Sequence, residues 1–450
     1  MITLSFFGAA GEVTGSCYLW PTDQASVLID FGLHQGERDG VILTHGRLDQ
    51  CGRLPQLTKA GFRGRIFCTR PTVEVTEIIL RDSAHLQEAD AEQDNRRRAR
   101  QGRPPLTPLY TVSDVEQTLP LLSALEYGVE QTVAPGITVR FFDAGHILGS
   151  ASVLMCAEDR AGRAKHTIAF SGDVGVRNSP ILRNPMPPDH ADTMVLESTY
   201  GDREHKPMGP TLDELVGILK LSQTEGGRIV IPSFALGRPQ DLIYHFGTLL
   251  REGRIPKLNV YVDSPMAIAA SGLYRRYTEV YDEASRDLLR RGDWPLSFPG
   301  LHYSRTSEES RRLNDLAGGV VIISAAGMCT GGRILHHLRH SLWKPECRVV
   351  FVGYQGLGTL GRERVDGAKT VRIFGETIAV KARVHTLNGF SAHAGQSELV
   401  QWAGALAPSK PRTFLTHGED PPRRALAGRL QNELGLRPEL PQYADRVELA

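Results

Sequence analysis

The sequence predicts an α/β protein of two domains. Its 450 residues exceed what one ordinary hydrophobic core accommodates. Short β-like runs separated by Gly and polar turns fill the first part of the chain. Near residue 212 the texture changes to alternating helix and strand, the pattern of a parallel sheet between helical layers.

In order, residues 2–7, 16–20 and 26–30 read as strands, and Val41-Ile42-Leu43 is another that runs into Thr44-His45. Residues 73–94 carry helical spacing and many charges, and Asn95 to Arg103 reads as a basic loop or helix end. Residues 113–127 look helical, and strands follow at 137–142, 151–156 and 166–171. In the second region helices are expected at 212–224, 237–251 and 266–291, and strands at 228–232, 258–262, 319–324 and 348–352. From about 383 strand and turn signals return, with a last helix near 420–434. No repeat of fixed period and no low-complexity segment interrupts this order.

Composition narrows the class. Apolar residues at 41% and charged residues at 23% suit a soluble globular chain, and a net charge of +1 provides no global basic field. Any surface for a polyanion must therefore be local. Arg96-Arg97-Arg98-Ala99-Arg100 is one candidate, although the acidic run from Glu88 to Asp94 before it favours a solvated helix end. Six scattered cysteines without a C-x-x-C pair argue against a thiolate zinc site and for reduced thiols. With no leader pattern and no stretch of 18 apolar residues, a cytoplasmic protein without membrane contact is expected.

Four turns carry the candidate chemistry. They are His45-Gly46-Arg47-Leu48-Asp49-Gln50, Gly145-His146, Gly172-Asp173 and Thr416-His417-Gly418-Glu419, each following an apolar run. A strand that ends and releases His or Asp into a loop is how α/β scaffolds build sites. One such residue alone is more often a hydrogen-bonded turn residue, but four on the same kind of strand end point to a shared centre.

With these residues in view, the chain resembles the β-CASP branch of the metallo-β-lactamase-fold nucleases, which act on RNA. The order His45, Asp49, His146, Asp173, His417 is similar to that family's ligand order, and Asp30 in Leu-Ile-Asp-Phe-Gly matches its supporting acidic residue. Gly11-Glu12-Val13-Thr14-Gly15-Ser16 looks like the opening turn. Glu197-Ser198-Thr199-Tyr200-Gly201, Phe390-Ser391-Ala392-His393-Ala394 and Thr416-His417-Gly418-Glu419 look like the three β-CASP motifs. Ser324 to Arg333 and Gly353-Tyr354-Gln355-Gly356 are similar to further signatures.

The resemblance implies an αββα metallo-β-lactamase fold with an inserted β-CASP α/β domain. The first domain would span residues 1–205 and 383–450, and the insertion 206–382, with no tail beyond 450 to supply a further RNA-binding module. It implies zinc held by His45, Asp49, His146, Asp173 and His417, and catalytic roles for Asp49, Glu197 and His393. His393 would contact the scissile phosphate and protonate the leaving oxygen. Single-stranded RNA would lie in a cleft closed by the insertion and lined by Arg238, Thr330, Arg333 and Arg362.

The sequence departs from the family at two places: its second loop His is Arg47 here, and its last is Gln50. Guanidinium neither deprotonates nor coordinates a metal, so Arg47 is expected to stand in for an ion and pair with Asp49 or Asp173. Gln50 makes the other position richer in oxygen, which suits manganese or magnesium better than zinc. The expectation is zinc as one ion or none, with manganese as the alternative. Weakened RNA phosphodiesterase activity is one reading. An inactive RNA-binding or partner subunit, as a homodimer or beside an active homologue, is the other. A small ester or thioester substrate is disfavoured because the long insertion suits a polymer.

Overall fold

A computed structural model describes residues 2–13, 15–31, 39–158, 165–316, 318–353, 355–356 and 358–449. Of the motif residues, Thr14, Gly32 and Tyr354 lie outside them. The chain divides into two compact units, one formed by Met1–Ser179, Asn184–Glu204 and His393–Ala450, the other by Pro180–Arg183 and His205–Ala392. Among the described residues, no helix is long and apolar enough to cross a membrane.

The first unit is built on two sheets. One has seven strands, in the order Arg446–Glu448, Thr3–Phe6, Tyr18–Pro21, Ser26–Ile29, Gly40–Ile42, Arg65–Thr69 and Leu122–Leu125. The other has six, in the order Arg412–Thr416, Thr193–Glu197, Lys165–Phe170, Ala151–Glu158, Ile137–Asp143 and Gln131–Ala134. Alternation along each strand gives each sheet an apolar inner face. Leu4, Phe6, Tyr18, Trp20, Val27 and Ile29 of the first meet Phe141, Val153, Met155, Phe170, Val195 and Phe414 of the second. Ring pairs close the layer, with Phe6 and Phe414 centroids at 5.3 Å and Tyr18 and Phe170 at 5.6 Å. Met194, Leu196 and Leu415 point the other way, onto Leu399, Trp402, Leu406, Leu426 and Leu430 of helices Gln396–Leu406 and Asp420–Leu434. Helices Leu48–Cys51 and Arg70–Arg100 pack on the first sheet's side. The layers therefore run helix, sheet, sheet, helix, the αββα arrangement.

The second unit contains a six-stranded sheet ordered Leu301–Tyr303, Asn259–Asp263, Val320–Ser324, Ile229–Pro232, Arg348–Phe351 and Arg383–Thr386. Every neighbouring pair in it is parallel, as the alternating texture predicts. Arg383–Thr386 is its edge strand, so the chain returns to the first unit at 393 rather than at the expected 383.

Of the two readings left open for Asn95 to Arg103, the helix end holds as far as Arg100, where Asn95 exchanges two hydrogen bonds with the backbone of Leu106 and Arg98 donates to Pro104 O. Two local expectations need correction. The helix expected to 127 ends at Thr118, and Leu122–Leu125 joins the first sheet beside Arg65–Thr69. The helix expected over 266–291 is two, Pro265–Arg276 and Glu283–Arg290, the second capped by Asp282, which accepts from Ser285 N.

Candidate metal centre

The site residues leave strand ends of the first unit. Gly40–Ile42 delivers His45, Ile137–Asp143 delivers His146, Lys165–Phe170 delivers Asp173, Thr193–Glu197 ends at Glu197, and Arg412–Thr416 delivers His417. His393 lies just before helix Gln396–Leu406, and Ala394 N donates to Val174 O at 2.7 Å. Gly46 lets the His45 loop pass the long helix, since a Cβ there would lie 2.6 Å from Val75 Cγ1.

His45 is oriented from behind. Thr44 Oγ1 lies 3.0 and 2.9 Å from the two oxygens of Asp30 and 3.1 Å from His45 Nδ1, and Thr44 N donates to Asp30 Oδ1. Burial raises the Asp30 carboxyl to about 7, against the pull of His45 and the Thr44 hydrogen bonds. With Asp30 ionised, the single hydroxyl proton of Thr44 goes to the carboxylate, so the oxygen accepts from His45 Nδ1–H. His45 Nε2 then carries a lone pair and faces Asp173 Oδ2 at 3.3 Å. Both atoms are buried without a hydrogen-bond partner among the described residues. Two lone-pair carriers aimed at each other in the interior call for a cation between them.

His45, His146 and Asp173 place ligand atoms within 4.8 Å of one another, as do Asp173, His393 and His417. The first group fits one metal by donor type and by its two orphaned atoms. Arg47 intrudes on it. Its Nη1 donates to His146 Nε2 at 3.0 Å and to His393 Nε2 at 3.4 Å, and its Nε is 3.7 Å from Asp49 Oδ1. The guanidinium thus engages Asp49, as expected, together with two imidazoles that the sequence reading did not pair with it. Burial first, then the charge of His393, pushes His146 well below its usual pKa, consistent with a neutral ring that accepts from Arg47.

The second position fits a metal less well. Thr199 Oγ1 donates to Glu197 Oε2 at 2.6 Å and so accepts from His417 Nδ1. His417 Nε2 turns toward Asp173 Oδ1 at 3.6 Å and Asp49 Oδ2 at 3.7 Å. Burial opposes a charge there, but Asp173 and Asp49 outweigh it and raise His417 to about 9. A proton on His417 links the two carboxylates. Gln50 Nε2 lies 3.5 Å from that ring while its Oε1 is buried and unsatisfied. Turning the amide over would let Oε1 accept from His417, an exchange of oxygen and nitrogen only.

Glu197 holds His393. Its two oxygens lie 3.2 and 3.3 Å from His393 Nδ1, Oε1 also accepts from Val174 N, and Oε2 accepts from Thr199. With Nδ1 so engaged, Nε2 is the atom His393 presents to the centre, 3.9 Å from Asp173 Oδ2. Sequence reasoning missed Thr44, Thr199 and Ser150, whose Oγ accepts from the backbone N–H groups of His146 and Ile147. Each stands next to or near a motif residue, which is the only signal they give.

The remaining candidates lie in the second unit. Arg238, 11% exposed, pairs with Asp241 at 3.1 Å and sits 5.9 Å from the Phe390 ring. Arg333 donates to buried Asp263 at 2.7 Å and to the carbonyls of Ser304 and Arg305, so its fork is engaged within the fold. Arg362 pairs with Asp366 at the surface, and Thr330 is exposed.

Comparison with known proteins identifies the family. Residues 239–363 match the Beta-Casp domain model, and residues 377–441 match the Zn-dependent metallo-hydrolase RNA specificity domain model. The chain is 38% identical to ribonuclease TTHA0252 of Thermus thermophilus, over 98% of both chains. It is 29% identical to transcription termination factor FttA of Methanocaldococcus jannaschii, over 93% of this chain and 67% of that one. A crystal structure of a protein of unknown function from Enterococcus faecalis V583 shares the fold, with a TM-score of 0.55 at 12% identity over 99% of each chain. At that identity to the Thermus enzyme over nearly the whole length, and with both domain models in the expected order, the chain belongs to the β-CASP family of metallo-β-lactamase-fold RNA nucleases.

Proposed function

We propose that the chain acts on single-stranded RNA and hydrolyses its phosphodiester bonds slowly, through a centre that holds one metal, zinc or manganese, at His45, His146 and Asp173. The observation that carries this is the buried, unsatisfied pair of His45 Nε2 and Asp173 Oδ2, 3.3 Å apart. A metal held there would supply an activated water and polarise the phosphodiester. Glu197 fixes His393 through Nδ1, leaving Nε2 to meet the scissile phosphate and pass a proton to the leaving oxygen. Asp49 keeps its place beside Arg47 and His417. Arg238, Arg362 and Thr330 are the proposed RNA contacts. The surface pair of Arg362 and Asp366 exchanges easily for a phosphate, whereas Arg333 acts from its buried clamp on Asp263. Thiols outside disulfides suit a reducing cytoplasm.

One observation favours a second reading, an inactive RNA-binding or partner subunit beside an active homologue. Arg47 Nη1 occupies the lone pair of His146 that a metal would need. Bound metal in protein purified without chelator, and cleavage of a labelled single-stranded RNA in added zinc or manganese, separate the two. The first reading expects close to one metal equivalent and slow cleavage. In Arg47→His/Gln50→His it expects a second equivalent and a rate gain of ~100-fold, the scale of one restored electrostatic contribution to the transition state. Wild-type protein that binds RNA but neither metal nor turnover supports the second reading. Protein that binds neither RNA nor metal removes both.

A further inference from the structure

Two neighbouring segments of the second unit carry exposed rings that the proposed reaction does not use. One is the hairpin of strands Thr370–Ile373 and Glu376–Ala379. The other is helix Ile334–Ser341 with the turn that follows it. Val371, Ile373 and Ile378 of the hairpin share a buried cluster with Ile334, Leu338 and Leu342. That packing leaves His336, His340 and Trp343 exposed. At spacings of four and three residues, they follow one another along one side of the helix and its end.

Phe374 joins this row at a backbone cost. The hairpin turn has two residues, Phe374 and Gly375, between the paired Ile373 and Glu376, with φ of 51° and 85°. Positive φ at both central residues is the mark of a type I′ turn, which favours Asn or Asp followed by Gly. A phenylalanine there crowds its Cβ against the backbone. Its ring gains little burial in return, being 54% exposed. An unfavourable conformation kept for an exposed ring points to a task for that ring. It lies against His336, with centroids 4.6 Å apart.

Cations stand between the rings. Arg372 Nε reaches Gly375 O at 3.4 Å, and Arg339 pairs with Glu376 at 2.6 and 2.9 Å just after the turn. Lys344 Nζ is 5.1 Å from the centre of the Trp343 ring, and Lys381 N donates to Leu342 O beside it. Over residues 334–346 and 369–381, Arg339, Lys344, Lys369, Arg372 and Lys381 stand against Glu346 and Glu376. This is a local basic surface on a chain whose net charge is only +1.

We infer that Phe374, His336, His340 and Trp343 form a stacking surface for the bases of single-stranded RNA, with the lysines and arginines between them on its phosphates. Exposed rings alternating with cations match an unpaired strand, in which every base offers a face and every linkage a charge. A duplex would hide those faces, and an acidic peptide would use the cations but not the rings. The inference rests on the reading that the chain acts on RNA, and adds a place in the second unit where RNA is held.

Fluorescence anisotropy of the full chain with labelled oligouridine, and with an abasic oligomer of the same length, tests this. Phe374→Asn suits the turn, so it is expected to be at least as stable as wild type in denaturant. It is nevertheless expected to bind oligouridine about tenfold or more weakly, as is Trp343→Ala, whereas Phe374→Tyr and Trp343→Phe keep the affinity. All five proteins, wild type included, are expected to bind the abasic oligomer alike. Wild type that binds no oligouridine would overturn this inference and the RNA reading together. Oligouridine binding that is unchanged in both Phe374→Asn and Trp343→Ala would overturn this inference alone. So would a Phe374→Asn that loses stability but not affinity, which would make the ring a packing group.

Discussion

The threonine in front of the first histidine carries more of the centre than its position suggests. Thr44 joins Asp30 to His45 and fixes which nitrogen of His45 faces inward. Thr44→Val keeps the shape but removes the hydroxyl, leaving His45 Nδ1–H without its acceptor and Asp30 with one backbone donor. We expect a loss of about 2–3 kcal/mol, the usual cost of leaving buried polar groups unsatisfied, and recovery of most of it in Thr44→Ser. The midpoint of denaturant unfolding should fall with its slope unchanged. A shift under about 0.5 kcal/mol would mean that Asp30 and His45 are held by other groups. Arg47 acts in the opposite sense, because it neutralises without coordinating. Arg47→Ala is expected to tighten binding of the single metal about tenfold by freeing His146, the scale of one outer-sphere competitor removed. Titration with a competing chelator measures this, and unchanged affinity would place the guanidinium outside the metal's territory.

At the scale of elements, helix Arg238–Arg251 joins a buried histidine and a half-buried carboxyl of opposite pH behaviour. Burial, with a smaller push from Arg238, lowers His245 to about 4, and burial raises Asp241 to about 6 despite Arg238. The depressed histidine contributes stability that is complete above about 6.5 and is lost as pH falls toward 4. The raised carboxyl gives stability as pH falls from 6 toward its ordinary value, so in wild type the two slopes largely cancel. His245→Leu removes the first alone. Its stability relative to wild type should therefore rise by up to ~3 kcal/mol between pH 6.5 and 4. Denaturation curves across that window check it, and a flat difference would mean that His245 is solvated. Most of such elements could be read from periodicity, including this helix and four of the six parallel strands; the short edge strand Leu301–Tyr303 has no readable pattern, and Arg383–Thr386 reads as part of the other domain. The stretch beyond residue 95 stayed open between loop and helix end, because its polar sequence carries no apolar stripe and its hold on Leu106 is not local. The site was legible to the same depth. The strand-end turns named from the sequence bring His45, His146 and Asp173 together, and Asp173 and His417 gather with His393. The engagement of Arg47 with His146 joins residues 99 positions apart, which no local pattern records.

For the whole molecule, chain order decides which part can stand alone. The first unit is assembled from distant segments. Its C-terminal part, 393–450, supplies strand Arg412–Thr416 beside Thr193–Glu197, strand Arg446–Glu448 beside Thr3–Phe6, and both helices that cover the second sheet. Tyr18 donates to Thr416 Oγ1 at 2.9 Å across the sandwich. A chain ending at 392 would lose these together with His393 and His417, and would leave Met194, Leu196 and Leu415's neighbours open to water. By contrast, 205–392 keeps every strand of its parallel sheet and a core of its own around Val230, Leu338, Val349 and Phe351. The fragment 205–392 is therefore expected to unfold in one cooperative transition, with slow amide exchange in Ile229–Pro232 and Val320–Ser324. The chain ending at 392 is expected to lose protection throughout Thr3–Phe6, Tyr18–Pro21 and Ser26–Ile29 while keeping it in those two strands. Protection surviving in the first three strands would show that the sandwich closes without its last segment. The candidate site, which takes both His393 and His417 from that segment, would then be completed only after the fold around it had formed.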